Sequence, residues 1–239
     1  MNENMRIWEK VEKTDPDYTK SSTIKKRRVT SINQMYNYER ATQIFGPAGM
    51  GWGYEIIEER FDTGAPMYSE SKEIIGTEMV HTILAKVWYV NGETKHETPP
   101  QYGHTPYMYM ASGGYIVTDT DYAKKTLTDA VGKCLSLLGF GADIFMGQYD
   151  DQEYISEIRD DFAIEKADDQ AQERIRQKNE YEDDKSKHIG MMKAAVTLPE
   201  LEALFVAILR KASRRKDEAG IKELTKIKDQ KKAQLEAKK

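Results

Sequence analysis

The stretch DYAKKTLTDAVGKCLSLLGFGADIF, residues 121 to 145, restricts the fold more than any other part of the chain. Ala123, Leu127, Ala130, Val131, Cys134, Leu135 and Leu138 recur at three-and-four spacing, the pattern of a helix with one apolar stripe. Such a stripe is stable only when another layer of structure covers it. Asp119 or Asp121 is placed to cap the start of this helix, and Gly139 to end it in a left-handed turn. The opposite face carries Lys124, Lys125, Thr128, Asp129, Gly132, Lys133 and Ser136. A glycine in a helix interior costs about 1 kcal/mol relative to alanine. Gly132 therefore predicts a close approach, by a packed strand, a neighbouring subunit or a phosphate backbone.

The preceding residues supply the covering layer. SINQMYNYERATQIFG reads as a helix from near Ser31 to a stop at Gly46, with Tyr38, Ala41, Ile44 and Phe45 buried and Pro47 blocking continuation. GWGYEIIEERF, TEMVHTILAKVWYV and ETKHET then read as three strands of an antiparallel meander. Asn91-Gly92 predicts a type I′ hairpin turn, in which both central residues take positive φ. The uncharged run PQYGHTPYMYMASGGYI, residues 100 to 116, reads as a long loop holding four tyrosines. Helix, three strands and helix make an α+β fold, a meander packed on a long helix.

Composition changes sharply near residue 149. All three tryptophans and all but one proline precede it, whereas the rest is rich in Asp, Glu, Lys, Gln and Ala. The expected organisation is a folded domain over 1–150, a charged connector over 151–187, helical or disordered, and a helical module over 188–239. In that module Leu201, Leu204, Phe205, Ile208 and Leu209 share a stripe. No apolar run approaches the roughly 18 residues of a membrane span, and the N-terminus lacks a signal-peptide core, so a soluble, cytoplasmic protein is expected. The single Cys134 excludes an internal disulfide and a cysteine zinc site. The net charge of −4 hides a basic tail, in which residues 186–239 carry 14 basic and 7 acidic side chains. Polyanion binding depends on where cations cluster, so the acidic total does not exclude it.

Lys25, Lys26, Arg27 and Arg28 form the densest basic run of the first domain, read as an arm suited to a phosphate chain. Lys125 and Lys133 flank Asp129 at i,i+4 spacing, which also suits plain surface ion pairs. GPAGMGWGY, residues 46 to 54, lacks the Lys-Ser/Thr that completes a P-loop, so ATP-driven chemistry has no motif. His81, His96 and His104 lack the spacing of a zinc hydrolase and read as structural or surface residues. Asp119, Asp121, Asp143, Asp150 and Asp151 are the carboxylates a two-metal nuclease would need, and caps and turns explain them equally. Tyr107 and Tyr109, beside cations, suit stacking on bases. They equally suit the sealing of a subunit interface.

The combination of WEKVEKTDPDYTK (8 to 20), ATQIFGPAGMGWGY (41 to 54) and DTDYAKKTLTDAVGKCLSLLGFGADIFMGQYDD (119 to 151) resembles the Sak-type phage single-strand annealing proteins. These are remote relatives of the eukaryotic recombination mediator Rad fifty-two. The resemblance covers about the first 150 residues. It implies a β-β-β-α core flanked by helices, assembly into a homo-oligomeric ring or helical arc, and single-stranded DNA held in a basic groove. It further implies pairing of complementary strands without ATP, cofactor or bond chemistry, in the cytoplasm of a bacterial host. Lys133 matches the second of two adjacent basic residues that face DNA phosphates on the family's long helix. Gly132 stands where the first would be, which turns attention to Lys124, Lys125 and the run from Lys25 to Arg28. The family's helix-one arginine has no counterpart in register, Arg40 lying nearby. By the same resemblance the C-terminal helices would recruit a host single-strand-binding protein or a partner exonuclease. Two other classes stay open at this point: a metal-dependent nuclease acting on DNA ends, and a non-enzymatic adaptor.

Overall fold

The computed structural model describes residues 3–24 and 26–237, so Lys25 lies outside the described residues, as does the side chain of Arg27. The chain divides into two compact units, residues 1–159 and 160–239. The first is an α+β unit.

It opens with a short helix, α1 (Trp8–Val11), followed by a hairpin of β1 (Thr19–Ile24) and β2 (Arg27–Ile32). The described part of the basic run is therefore the turn at Lys26 and the return strand from Arg27, and not an arm. Thr23, Ile24, Val29, Thr30 and Ile32 are β-branched and favour extended pairing, which also explains why the next helix starts later than its periodicity suggests. That helix, α2, spans Gln34–Phe45, with the Asn33 side chain accepting from the Met35 amide as its cap. Gly46, at φ 99°, ends it and donates its N–H to the Thr42 carbonyl.

A five-stranded antiparallel sheet follows: β3 (Trp52–Tyr68), β4 (Ile74–Asn91), β5 (Thr94–Glu97), β6 (Gln101–Met110) and β7 (Ile116–Thr118). The order is β3-β4-β6-β7, with β5 also on β4. The 100 to 116 segment is thus mostly strand, correcting the loop reading. β5 pairs with Trp88–Asn91 and β6 with the part of β4 from Met79 to Ala85, so both continue one line of pairing. Pro99 and Pro100 interrupt it because neither has an N–H to donate. The β4–β5 turn also differs from expectation. Asn91 is the last strand residue, and only Gly92 takes positive φ, 66°, the pattern of a type II′ turn.

The long helix, α3 (Tyr122–Ser136), lies across β4 and β6. Along β4, His81, Ile83, Ala85 and Val87 alternate inward and are buried beneath it. From α3 the buried set is Thr126, Ala130, Val131, Cys134 and Leu135. Ala123, placed on this face by periodicity, is exposed, and the polar Thr126 takes the next turn because a histidine faces it from the sheet. At Gly103 of β6 the helix comes so close that a Cβ would stand 2.2 Å from the Thr126 carbonyl oxygen. Val11, Ala41, Trp52, Val87, Val131, Leu135 and Phe140 join α1, α2, the sheet and α3 into one core.

A short helix, α4 (Ala142–Phe145), closes the unit. Its buried Asp143 accepts from the Thr14 amide at 2.7 Å, the Thr14 hydroxyl at 2.8 Å and the Tyr154 hydroxyl at 3.0 Å. This ties the N-terminal segment to the helices that follow α3. Tyr154 belongs to α5 (Gln152–Lys166), within which the division between the units falls.

The second unit packs α6 (Gln170–Ala194), α7 (Leu198–Arg214) and α8 (Glu218–Glu236) around Tyr181, Met192, Leu201, Ile208, Ala212 and Leu224. Tyr181, from the acidic stretch read as connector, is part of this core and donates its hydroxyl to Asp217 at 2.8 Å. Among the described residues no helix is long and apolar enough to cross a membrane.

Candidate nucleic-acid interface

Thr30, Ser31 and Ile32 of β2, Gln34 and Asn37 of α2, and Thr128, Asp129, Gly132 and Lys133 of α3 border one groove of about 270 Å³, with Ile144 and Phe145 of α4 at its end. Most of its exposed lining is apolar, with hydroxyls, amides, one ammonium and one carboxylate set into it. Gly132 faces Gln34: a Cβ there would come 3.0 Å from the amide oxygen. The close approach inferred from this glycine is thus made by a side chain of α2, within the same chain.

Lys133 lies on a row with Lys125 and Asp129, one helical turn between each. Its ammonium donates to Asp129 Oδ2 at 2.7 Å and to the Tyr102 carbonyl at 2.9 Å. The other Asp129 partner is the His104 amide, at 3.1 Å. The reason lies in the sheet. β7 pairs only with residues 108–110 of β6, so the first half of β6 is a free edge with unpaired backbone groups. Asp129 and Lys133 satisfy an N–H and a C=O of that edge. An ammonium has three N–H donors. Lys133 uses two and keeps the third at the groove, with its side chain 43% exposed.

The other cations differ in how far they are compensated. Lys125 Nζ sits 2.6 Å from Asp119 Oδ2. That contact, followed by the Asp121 amide, holds the Asp119 carboxyl below the usual carboxylate range, and the same pairing raises Lys125. Lys124 is exposed and has no ion-pair partner among the described residues. Lys26 stands at the hairpin tip with φ 66°, and Arg28 on β2 donates from Nε to Ser21 Oγ at 2.9 Å. Arg40 is committed to packing: it donates to the Lys10 carbonyl at 2.7 Å and to Gln43 at 2.8 Å, tying α2 to α1.

Tyr107 and Tyr109 lie on β6 and are half-buried, which corrects their reading as exposed loop residues. Tyr107 packs edge-on against Phe61 at 5.1 Å and Tyr122 at 4.8 Å, so its ring is already occupied. Within the same aromatic cluster His81 is fully buried. Thr126 donates to the Tyr122 carbonyl, leaving its oxygen to accept from His81 Nδ1 at 2.9 Å, while His81 Nε2 faces Glu59 at 2.9 Å. His104 contacts Thr82, and His96 stacks on Tyr89. The three histidines thus stand in separate surroundings. Asp119 and Asp143 have the partners described above, and among the described residues no group of three His, Cys, Asp or Glu side chains is arranged to hold a metal ion.

Periodicity pointed to Lys133 but not to the hydroxyl wall opposite it. Thr30 and Ser31 are ordinary strand residues in sequence, and only the hairpin brings them to α3. Comparison of the chain with protein-family models finds no match, and neither does comparison with curated proteins.

Proposed function

We propose that the protein binds single-stranded DNA by its phosphates and anneals complementary strands, as a homo-oligomer and without ATP or bond chemistry. The observation that carries this reading is a single groove bordered by the hairpin foot and by Gly132 and Lys133 of α3. Two sequence-distant regions, the foot of the basic hairpin and the Lys133 face of α3, border this groove. It accords with the DNA-facing helix position that the family resemblance implies.

The chemistry asked of such a groove is modest. Ammonium and hydroxyl donors hold the sugar-phosphate chain and release its counterions, a term that does not depend on base sequence. Copies placed side by side would raise the local concentration of strands and reduce their repulsion, so that catalysis is positional. Base edges stay free to pair.

The Lys133→Ala variant tests the site. Its binding to labelled oligonucleotides of any sequence should weaken alike. The slope of log affinity against log salt should become shallower by about 0.7, the value of one phosphate contact on a single strand. Unchanged affinity and slope would remove Lys133 from the interface.

A further inference from the structure

We propose that a second phosphate-binding site lies beside the same hairpin, in a cleft of about 280 Å³ between β1–β2 and the first turns of α5. Ser21, Arg28 and Thr30 line it from the hairpin, and Gln152, Ser156 and Arg159 from the helix. Both sets follow from simple periodicities. Ser21 and Thr30 are paired across the hairpin, and Arg28 is two residues from Thr30, on the same side of β2. Residues 152, 156 and 159 fall on one face of α5.

What distinguishes this cleft is charge without compensation. Arg28 is held by neutral partners: Nε donates to Ser21 Oγ at 2.9 Å. With the Gln152 amide turned so that its oxygen faces the guanidinium, the two terminal nitrogens donate to it at 2.7 and 3.2 Å. A guanidinium has five N–H donors in a fixed fork. Arg28 is thereby oriented with its charge intact and two donors to spare. Arg159 is exposed and makes no ion pair among the described residues. α5 carries Glu153, Glu157, Asp160, Asp161 and Glu165, yet no carboxylate lines the cleft. In the groove, by contrast, Lys133 is matched by Asp129. Two unmatched guanidiniums with hydroxyls between them are the donor set that recognises a phosphate by its oxygens.

The occupant is a phosphodiester of the bound nucleic acid. Thr30 lines both the groove and this cleft, so a strand leaving Lys133 across β2 meets Arg28 and Arg159 next. This assignment rests on the DNA-binding function proposed above.

Fluorescence anisotropy of a labelled oligo(dT) over a salt series tests it on the full chain. Arg28→Gln and Arg159→Gln should each weaken binding about 3- to 10-fold and make the salt slope shallower by about 0.7, while Arg159→Lys keeps the slope. Ser156→Glu should reproduce the loss with every cation in place, and circular dichroism of each variant checks its fold. If wild type binds the oligonucleotide and the folded variants match it in affinity and slope, the cleft is not a DNA contact, although the groove function stands. If wild type fails to bind even at low salt, both proposals fall. Calorimetry with inorganic phosphate separates the remaining source. Saturable binding lost in Arg159→Gln, with oligonucleotide affinity unchanged, would make the occupant a free phosphate and overturn the assignment.

Discussion

At the scale of single residues the first unit neutralises two of its own candidate DNA contacts. Lys125 is bound to Asp119, and Lys133 shares its charge with Asp129 while serving a strand edge. A phosphate must compete with these carboxylates. Asp119→Asn leaves an oxygen for the Asp121 amide but frees the Lys125 ammonium. It should tighten oligonucleotide binding about 2- to 5-fold at low salt, and the gain should vanish as salt screens the exposed charge. Mild acid should not mimic it. The Asp119 carboxyl is held low by Lys125, so it stays charged as pH falls through the ordinary carboxylate range, and the pair stays closed. Binding titrations of both proteins at pH 7 and at pH 4, within the ordinary carboxylate range, check this; equal affinities at pH 7 would show that Lys125 lies off the track. Sequence made the lysines visible, because charge and spacing are written in it. It did not reveal that Asp129 and Lys133 serve the backbone of β6, since a free strand edge is a property of the pairing.

At the scale of elements, a glycine facing α3 and a glycine within it differ in what they permit. Gly103 lies under the helix, where a methyl group would meet the Thr126 carbonyl and the Ala130 amide. Gly132 looks out at the end of the flexible Gln34 side chain. Urea unfolding should separate them: Gly103→Ala should lose about 1–3 kcal/mol or more by overpacking, whereas Gly132→Ala should gain roughly 0.5–1 kcal/mol of helix propensity. Destabilisation by Gly132→Ala would mean that α2 sits against α3 with no room to yield. The elements themselves were legible wherever period and capping agreed. The apolar stripe from Leu127 to Leu138 located α3, and Gly46 located the end of α2. Legibility failed where neighbouring signals conflicted. Pro99, Pro100 and an absence of charge disguised β6 as a loop, and clustered cations disguised a β-branched hairpin as an arm. Ala123 was misplaced because a purely apolar pattern does not anticipate that a buried histidine selects Thr126.

At the scale of the whole chain, the acidic total of −4 conceals local surfaces of different sign. The acidic stretch after residue 149 yields α5, whose cleft-lining face is free of carboxylates, and then α6, which joins the helical unit through Tyr181. Composition changes near residue 149, whereas the compact units divide at 159/160, a position set by which side chains pack, and Tyr181 lies within a run of charge. The proposed annealing would require several copies acting on long strands. The most direct measurement mixes two complementary labelled oligonucleotides with the purified full-length protein in the absence of nucleotide and added metal, follows duplex formation, and then sizes the strands. Faster duplex formation with strands of unchanged length, diminished in Lys133→Ala, is the predicted result. Duplex formation at the rate of naked DNA, or strands that emerge shortened, would contradict an annealing protein that works by holding phosphates.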